Sequence, residues 1–363
     1  MNTGTALALR DIEILYRPFI HRKIELCTRI VMAPMARNYA TDGIPTPEML
    51  RYYRRRAEHE LGLIITEGAA IDDPAAAASA DTPSFFGGAA LRAWKRICQA
   101  VHATNCKIIP QIQHAGLMRP SDGRAPNPEE AAISPSGIHP ITLQRVGAPM
   151  SHGRIRDVVL SFARAAENAK KLGFDGVEIN GAYGMLIDQF LRAETNHRED
   201  EYGGDLPGRV RFGCEVVQAV RKAVGRRFPI FFRLSQGYPG HEEARLANTP
   251  EELAEIVRPL SESGVDVFDC TSLHYGHPEF ESSPLGLAAW VRRLSNRPAI
   301  CSGAIGLEPG FPSQLLRSLS MNEIDLIAIG RALLADPAWA SKVHAAMESS
   351  ITPFTPQHLA RLL

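Results

Sequence analysis

The chain carries six cysteines but no Cys-x-x-Cys spacing. Scattered cysteines of this kind read as buried thiols in a reducing compartment, so a cytoplasmic location is expected and metal ligation is the weaker reading. Cys301 lies near a strand end, and simple packing is the plainer account of it. No block of charge of one sign is present either, since Lys+Arg 40 and Asp+Glu 40 cancel. Nucleic acid and anionic membranes need an extended basic surface, so neither is expected as a partner. No apolar run approaches the roughly 20 residues of a membrane span. The first residues, MNTGTALALRDIEIL, lack a basic start followed by an apolar core, so no secretory leader is expected. No strand-like run is followed by Gly-x-Gly-x-x-Gly, which takes away the main support for a dinucleotide-type open sheet. There is no internal repeat and no low-complexity linker. Ala75–Ala80 is Ala-rich but too short to count as one.

What is present is a large apolar fraction, 45% of 363 residues, arranged as alternating strand-like and helix-like segments. Short apolar runs that read as buried parallel strands are Ile30–Ala33, Gly62–Thr66, Lys107–Ile112, Gly176–Ile179, Pro229–Leu234, Val265–Cys270, Ala299–Cys301 and Asp325–Ile329. Between them lie amphipathic segments at Pro47–His59, Ala90–Ala103, Val158–Leu172, Arg209–Ala223, Pro250–Ser263, Leu285–Leu294 and Pro312–Leu319. This alternation predicts a (β/α)8 TIM barrel over residues 1–363 as a single α/β domain, with a doubly wound open sheet as the runner-up. Tyr16–Cys27 is expected to form a hairpin closing the barrel bottom, and Pro337–Leu363 to pack outside it.

In such a barrel, function sits at the C-terminal ends of the strands. Those ends carry Pro34, Met35 and Ala36; Glu67 and Gly68; Gln111, Gln113 and His114; Asn180; Arg233; Thr271–Tyr275; Ser302, Gly303 and Ala304; and Gly330 with Arg331. The loops after strands seven and eight are a recurrent phosphate site. Glycine lets the backbone approach an anion, and the fork of Arg331 suits phosphate oxygens. The alternative is that Gly303 and Gly330 only make turns while Arg331 faces solvent. Arg233 stands in an apolar strand, and a buried guanidinium must be paired. One reading pairs it with Glu178 on the neighbouring strand. The other sets it beside the anionic edge of a reduced flavin, and both can hold together. Gln111 can both donate and accept at that edge, though a lone Gln in a strand is weak evidence.

The stretch from Gly173 to Phe212, GFDGVEINGAYGMLIDQFLRAETNHREDEYGGDLPGRVRF, is the most distinctive in the chain. A buried strand ends at Asn180, Tyr183 follows, and Leu186, Ile187, Phe190 and Leu191 mark one face of a helix. A long polar loop with Arg198, Asp200, Tyr202, Gly203 and Gly204 comes next, and its composition predicts order. This stretch resembles the signature of the old yellow enzyme family, the flavin-dependent ene-reductases. So do RIVMAPMAR (Arg29–Arg37), Pro45–Ala57, LGLIITEGA (Leu61–Ala69), QIQHAG (Gln111–Gly116), FFRLS around Arg233, Ser302–Ile305 and IGRALLADP (Ile329–Pro337).

The resemblance implies non-covalent FMN, hydride from NADH or NADPH, and reduction of an electron-poor alkene such as an α,β-unsaturated carbonyl. It implies cofactor contacts from Pro34, Met35, Ala36, Gly68, Gln111, Arg233, Ser302, Gly303, Ala304, Gly330 and Arg331, and substrate contacts from Asn180 and Tyr183. The chain departs from the pattern at Asn180, Tyr183, Met185, Gln113 and Ala36. Alanine at 36 cannot hydrogen-bond a flavin, and Met185 has no proton to give. Other readings are a flavin-dependent desaturase or dehydrogenase, a weakly active flavoprotein, and a flavin-free barrel lyase or isomerase acting on a phosphorylated substrate. The partner expected is a small molecule, and a homo-oligomer is left open.

Overall fold

A computed structural model describes residues 12–362 apart from 239, 242, 282, 309 and 310. Most of the segment read for a secretory leader, residues 1–11, lies outside the described residues. A two-stranded hairpin comes first, β1 (Phe19–His21) and β2 (Ile24–Leu26). Eight parallel strands follow: β3 (Ile30–Met32), β4 (Leu63–Ala70), β5 (Lys107–Gln113), β6 (Val177–Asn180), β7 (Ile230–Ser235), β8 (Val267–Thr271), β9 (Ala299–Ser302) and β10 (Leu326–Ile329). They close in sequence order, with β10 pairing back onto β3, so the fold is the (β/α)8 barrel in a single domain.

The helices used below are α1 (Pro47–Ala57), α2 (Gly88–His102), α3 (His152–Leu172), α4 (Leu186–Leu191), α5 (Leu206–Val224), α6 (Pro250–Ser263), α7 (Leu287–Ser295), α8 (Ser313–Ser320), α9 (Arg331–Ala335) and α10 (Trp339–His344). Their starts are chemically marked. Thr46, Ser151, Asp205 and Thr249 each accept a hydrogen bond from a backbone amide in the first turn of α1, α3, α5 and α6.

Alternation along the strands sorts side chains into two layers. Ile30, Met32, Ile64, Ile108, Ile327 and Ile329 face outward and pack under the helices. Val31, Leu63, Ile65, Ile109, Phe231, Val267, Ile300 and Leu326 fill the barrel, and Phe19, Ile24 and Leu26 of the hairpin join that inner cluster. Higher in the same inward columns the residues turn polar: Ile109 gives way to Gln111 and Gln113, Phe231 to Arg233, and Val267 to Asp269 and Thr271. The site is the polar top of the apolar column. In β4 the register with β5 shifts between Ile65 and Gly68, so this strand runs on to Ala70 instead of ending at Thr66.

At the opposite end, His102 in the last turn of α2 bonds Asp175 at 2.7 Å, and Asp175 also accepts from the Ile108 amide at 2.9 Å. The bond to Asp175 pushes the His102 pKa up to about 10. A raised histidine pKa stabilises the fold fully below the free value of about 6.5 and loses that contribution as pH rises through about 10. We expect the gap in thermal midpoint between wild type and His102→Gln to shrink as pH is raised from 6 to beyond 10, followed by circular dichroism.

Candidate active site

A cavity of about 590 Å³ opens at the C-terminal mouth of the barrel. Small-molecule sites fall in a range of about 300–1,000 Å³. Of the eleven residues expected to hold the cofactor, Pro34, Met35, Arg233, Ser302, Gly303, Ala304, Gly330 and Arg331 line it together. Tyr183 lines it as well. A larger groove of about 1270 Å³ runs over the outer faces of α5, α6 and α7, but no strand-end residue reaches it. The chemistry-bearing residues therefore place the site at the mouth.

One side of the cavity is formed by the ends of β9 and β10. Gly303 has φ +147°, and a Cβ there would sit 2.8 Å from both the Ser272 hydroxyl and the Tyr275 amide. Ala304 follows in the left-handed region at φ 57°. Gly330 leads directly into α9, so Arg331 begins that helix at the cavity wall. Its guanidinium is exposed, with its carbon 6.0 Å from the centre of the Phe354 ring. Gly303→Ala should strain the backbone by about 1–3 kcal/mol and distort this wall. We expect weaker FMN binding by equilibrium dialysis and a lower melting temperature, with an unchanged far-UV spectrum.

The neighbouring wall, on β7 and β8, holds a buried charge cluster. Arg233 donates to the Pro34 carbonyl at 3.2 Å, and its Nε lies 3.3 Å from Asp269 Oδ2 on β8. The ion pair is thus with Asp269, whereas Glu178 on β6 accepts from Gln111 at 2.7 Å. Register decides this, because Arg233 pairs across to Asp269 while Glu178 sits beside Phe231. Burial lowers the Arg233 pKa, but Asp269, Tyr183 and Glu178 outweigh it and raise it.

Gln111 accepts from Asn180 at 3.1 Å, and Gln113 accepts from the same amide nitrogen at 3.0 Å. Both Asn180 side-chain protons are committed to these two glutamines. Its oxygen accepts from the Ala182 amide at 3.1 Å. Gly68 is covered by Gln113, whose side chain lies 2.1 Å from where a Cβ would stand. Gly68, Gln111 and the exposed Ala36 therefore do not line the cavity.

Tyr183 has φ 56°, a conformation rare for a tyrosine and often found at functional sites. Its ring centre lies 5.3 Å from the Arg233 guanidinium, and its hydroxyl bonds Thr271 at 2.5 Å. Tyr39 instead donates to the Ala360 carbonyl at 2.7 Å, and Tyr275 lines a separate small cavity with Cys301. The loop carrying Pro34–Ala36 is pinned from below, as Glu67 accepts from the Arg37 and Asn38 amides, each at 3.0 Å.

The sequence matches the NADH:flavin oxidoreductase / NADH oxidase family over residues 14–350. The chain belongs to this family. It is the old yellow enzyme family to which the strand-end motifs pointed. The NADH oxidase of Thermoanaerobacter brockii is 33% identical over 345 residues, covering 89% of this chain and 49% of that protein. The metal reductase of Desulforamulus reducens is 32% identical over 350 residues, covering 94% of this chain and 50% of that protein. The chain thus spans about half the length of these curated relatives. Morphinone reductase, solved in complex with tetrahydroNAD, superposes with a TM-score of 0.80 at 25% identity, over 95% of this chain and 93% of its own.

FMN is the cofactor of this old yellow enzyme fold, and NADH or NADPH the reductant. The residues at the mouth fit FMN on their own chemistry. Arg331 offers its exposed cation at one end, and Arg233 brings a buried guanidinium to the cavity wall at the other while its Nε faces Asp269 at 3.3 Å. A flavin-free lyase or isomerase no longer suits the chain. Several lining residues were not expected from the sequence, among them Gln236, Tyr238, Arg245 and Glu279. Gln236 donates to Glu279 at 2.7 Å, and Arg245 pairs with the same carboxylate. Gln236 directly follows β7, two residues beyond the expected strand end at Leu234, so a longer strand-end reading finds it. Arg245 and Glu279 lie on long loops without a local signal. Among the described residues no helix is long and apolar enough to cross a membrane.

Proposed function

We propose that this oxidoreductase reduces an electron-poor alkene, such as an α,β-unsaturated carbonyl, with electrons from NADH or NADPH. Support comes chiefly from the one cavity that unites the two glycine ends of β9 and β10 with Arg233 and Tyr183. These residues would hold FMN, which would supply the hydride-transfer chemistry between nicotinamide and alkene. The backbone around Gly303, Ala304 and Gly330, with Arg331, holds the phosphate. Pro34, Met35 and Arg233 hold the ring system, with Arg233 at the pyrimidine edge, while Gln111 and Gly68 stand behind Asn180 and Gln113. Tyr183 donates to the substrate oxygen or supplies the second hydrogen, because Met185 cannot. Asn180 orients Gln111 and Gln113 and, if released from them, serves as the second donor to the substrate oxygen.

A second reading is favoured by the Asn180 amide being fully committed. With no free donor there, the enolate is unassisted in either direction, whether the chain reduces an alkene or runs as a desaturase or dehydrogenase, and the flavin passes its electrons slowly to other acceptors. The visible spectrum of the purified protein, then anaerobic mixing with NADH or NADPH followed by a panel of enones, separates these. Reoxidation by enones supports alkene reduction. A reduced flavin that enones leave untouched supports the second reading.

A further inference from the structure

Three ionisable side chains stand together in the inward columns of β6, β7 and β8: Glu178, Arg233 and Asp269. We propose that Asp269 is a positioning residue for the cofactor, sharing Arg233 with the pyrimidine edge of FMN and holding the flavin's reduction potential down, while Glu178 stands beside it as a neutral acid. The proposal rests on the reading that this edge meets Arg233.

The geometry gives the two carboxylates different tasks. Asp269 lies against the guanidinium at 3.3 Å, and neither of its oxygens accepts a hydrogen bond among the described residues. Glu178 faces the neutral Gln111 amide at 2.7 Å, and its second oxygen has no hydrogen-bond partner. Both carboxylates are fully buried. Two anions around one cation would leave a buried charge uncompensated, which is expensive, so one of the two takes a proton. The one in contact with Arg233 keeps its charge. Burial raises both carboxyl pKa values, and the charge of Asp269 pushes Glu178 further up.

Reduction of a flavin places negative charge at its pyrimidine edge, and a cation there favours the reduced form. A carboxylate on the far side of that cation offsets part of the effect. Removing it at short range and low dielectric should shift the equilibrium at least about tenfold. For a two-electron couple that is about 30 mV.

The test compares holoenzyme of wild type, Asp269→Asn and Glu178→Gln. Spectroelectrochemical titration should give a potential at least about 30 mV higher in Asp269→Asn. Sulfite, an anionic probe that adds to oxidised flavin, should bind it about tenfold tighter. Glu178→Gln should change neither. An unchanged potential in Asp269→Asn, or an equal rise in Glu178→Gln, overturns the proposal. If Asp269→Asn does not fold or loses flavin, the infrared spectrum decides. Wild type should carry the carbonyl band of a protonated carboxyl that Glu178→Gln lacks, and persistence of that band in Glu178→Gln overturns the proposal. A flavin inert to enones still gives potentials, so failure of the proposed reaction is distinguishable from failure here.

Discussion

Arg233→Ala should yield a protein that loses most of its flavin, or holds flavin that NAD(P)H reduces poorly. Hydrogen bonds to a charged group are worth about 1.5–3 kcal/mol each, and a factor of ten in affinity is about 1.4 kcal/mol. Losing one or two such bonds at the pyrimidine edge weakens FMN by at least about tenfold. A second cost falls on the protein itself. Asp269 would be left fully buried beside Glu178 without its cation. Breaking a buried pair by removing one partner costs about 3–5 kcal/mol, so the melting temperature should fall even without flavin. The Arg233→Ala, Asp269→Asn double variant separates the two effects. It should recover stability, because the orphaned charge is gone, and should still bind FMN weakly. Equilibrium dialysis against FMN and calorimetry measure both. Flavin affinity and reduction rate equal to wild type in Arg233→Ala would remove this residue from the cofactor site.

The barrel was legible because strands buried on both faces read as continuous apolar runs. Each of the expected runs overlaps an observed strand, with ends displaced by a few residues. Helix starts were less legible. α3 and α5 begin at His152 and Leu206, ahead of the expected Val158 and Arg209, because the apolar stripe sets in late while the caps Ser151 and Asp205 act first. The strand-end residues were found by position alone, and Pro34, Met35, Arg233 and the glycine ends of β9 and β10 do meet at one cavity. What was hidden was pairing. Glu178 and Asp269 both lie one strand from Arg233, and only the register chooses between them. The commitment of Asn180 to Gln111 and Gln113 was hidden for the same reason, since it depends on side chains from adjacent strands meeting at one height. Loop residues such as Tyr238 carry no periodicity. Its hydroxyl donates to the Pro140 carbonyl at 2.9 Å, which ties the loop after β7 to the long connection after β5.

Tyr183→Phe should slow reoxidation of the flavin by an enone while barely changing its reduction by NAD(P)H. The residue is placed for it, lining the mouth in a left-handed conformation with its ring over Arg233. Its hydroxyl already has Thr271 as a partner at 2.5 Å, and that bond can orient the phenol while a substrate oxygen takes the proton side. Among the other tyrosines the alternatives are poor, because Tyr39 is tied to Ala360, Tyr238 donates to Pro140 and Tyr275 lines a separate cavity, and Met185 has no proton, which leaves His274, His277 and water as the competing sources. Removing a general acid costs about 10²–10⁴ in rate, and removing a donor to a developing oxyanion costs about 10²–10³. The two roles differ in their solvent isotope effect, which only proton transfer should raise. Thr271→Val is the companion variant. It frees the phenol without removing it, so its effect should be smaller than that of Tyr183→Phe and in the same half-reaction. Stopped-flow traces of the two half-reactions give the answer. If Tyr183→Phe reoxidises as fast as wild type, the tyrosine only packs over the mouth. Equal slowing of both halves would mean that the loss of the Thr271 bond has disturbed the pocket as a whole.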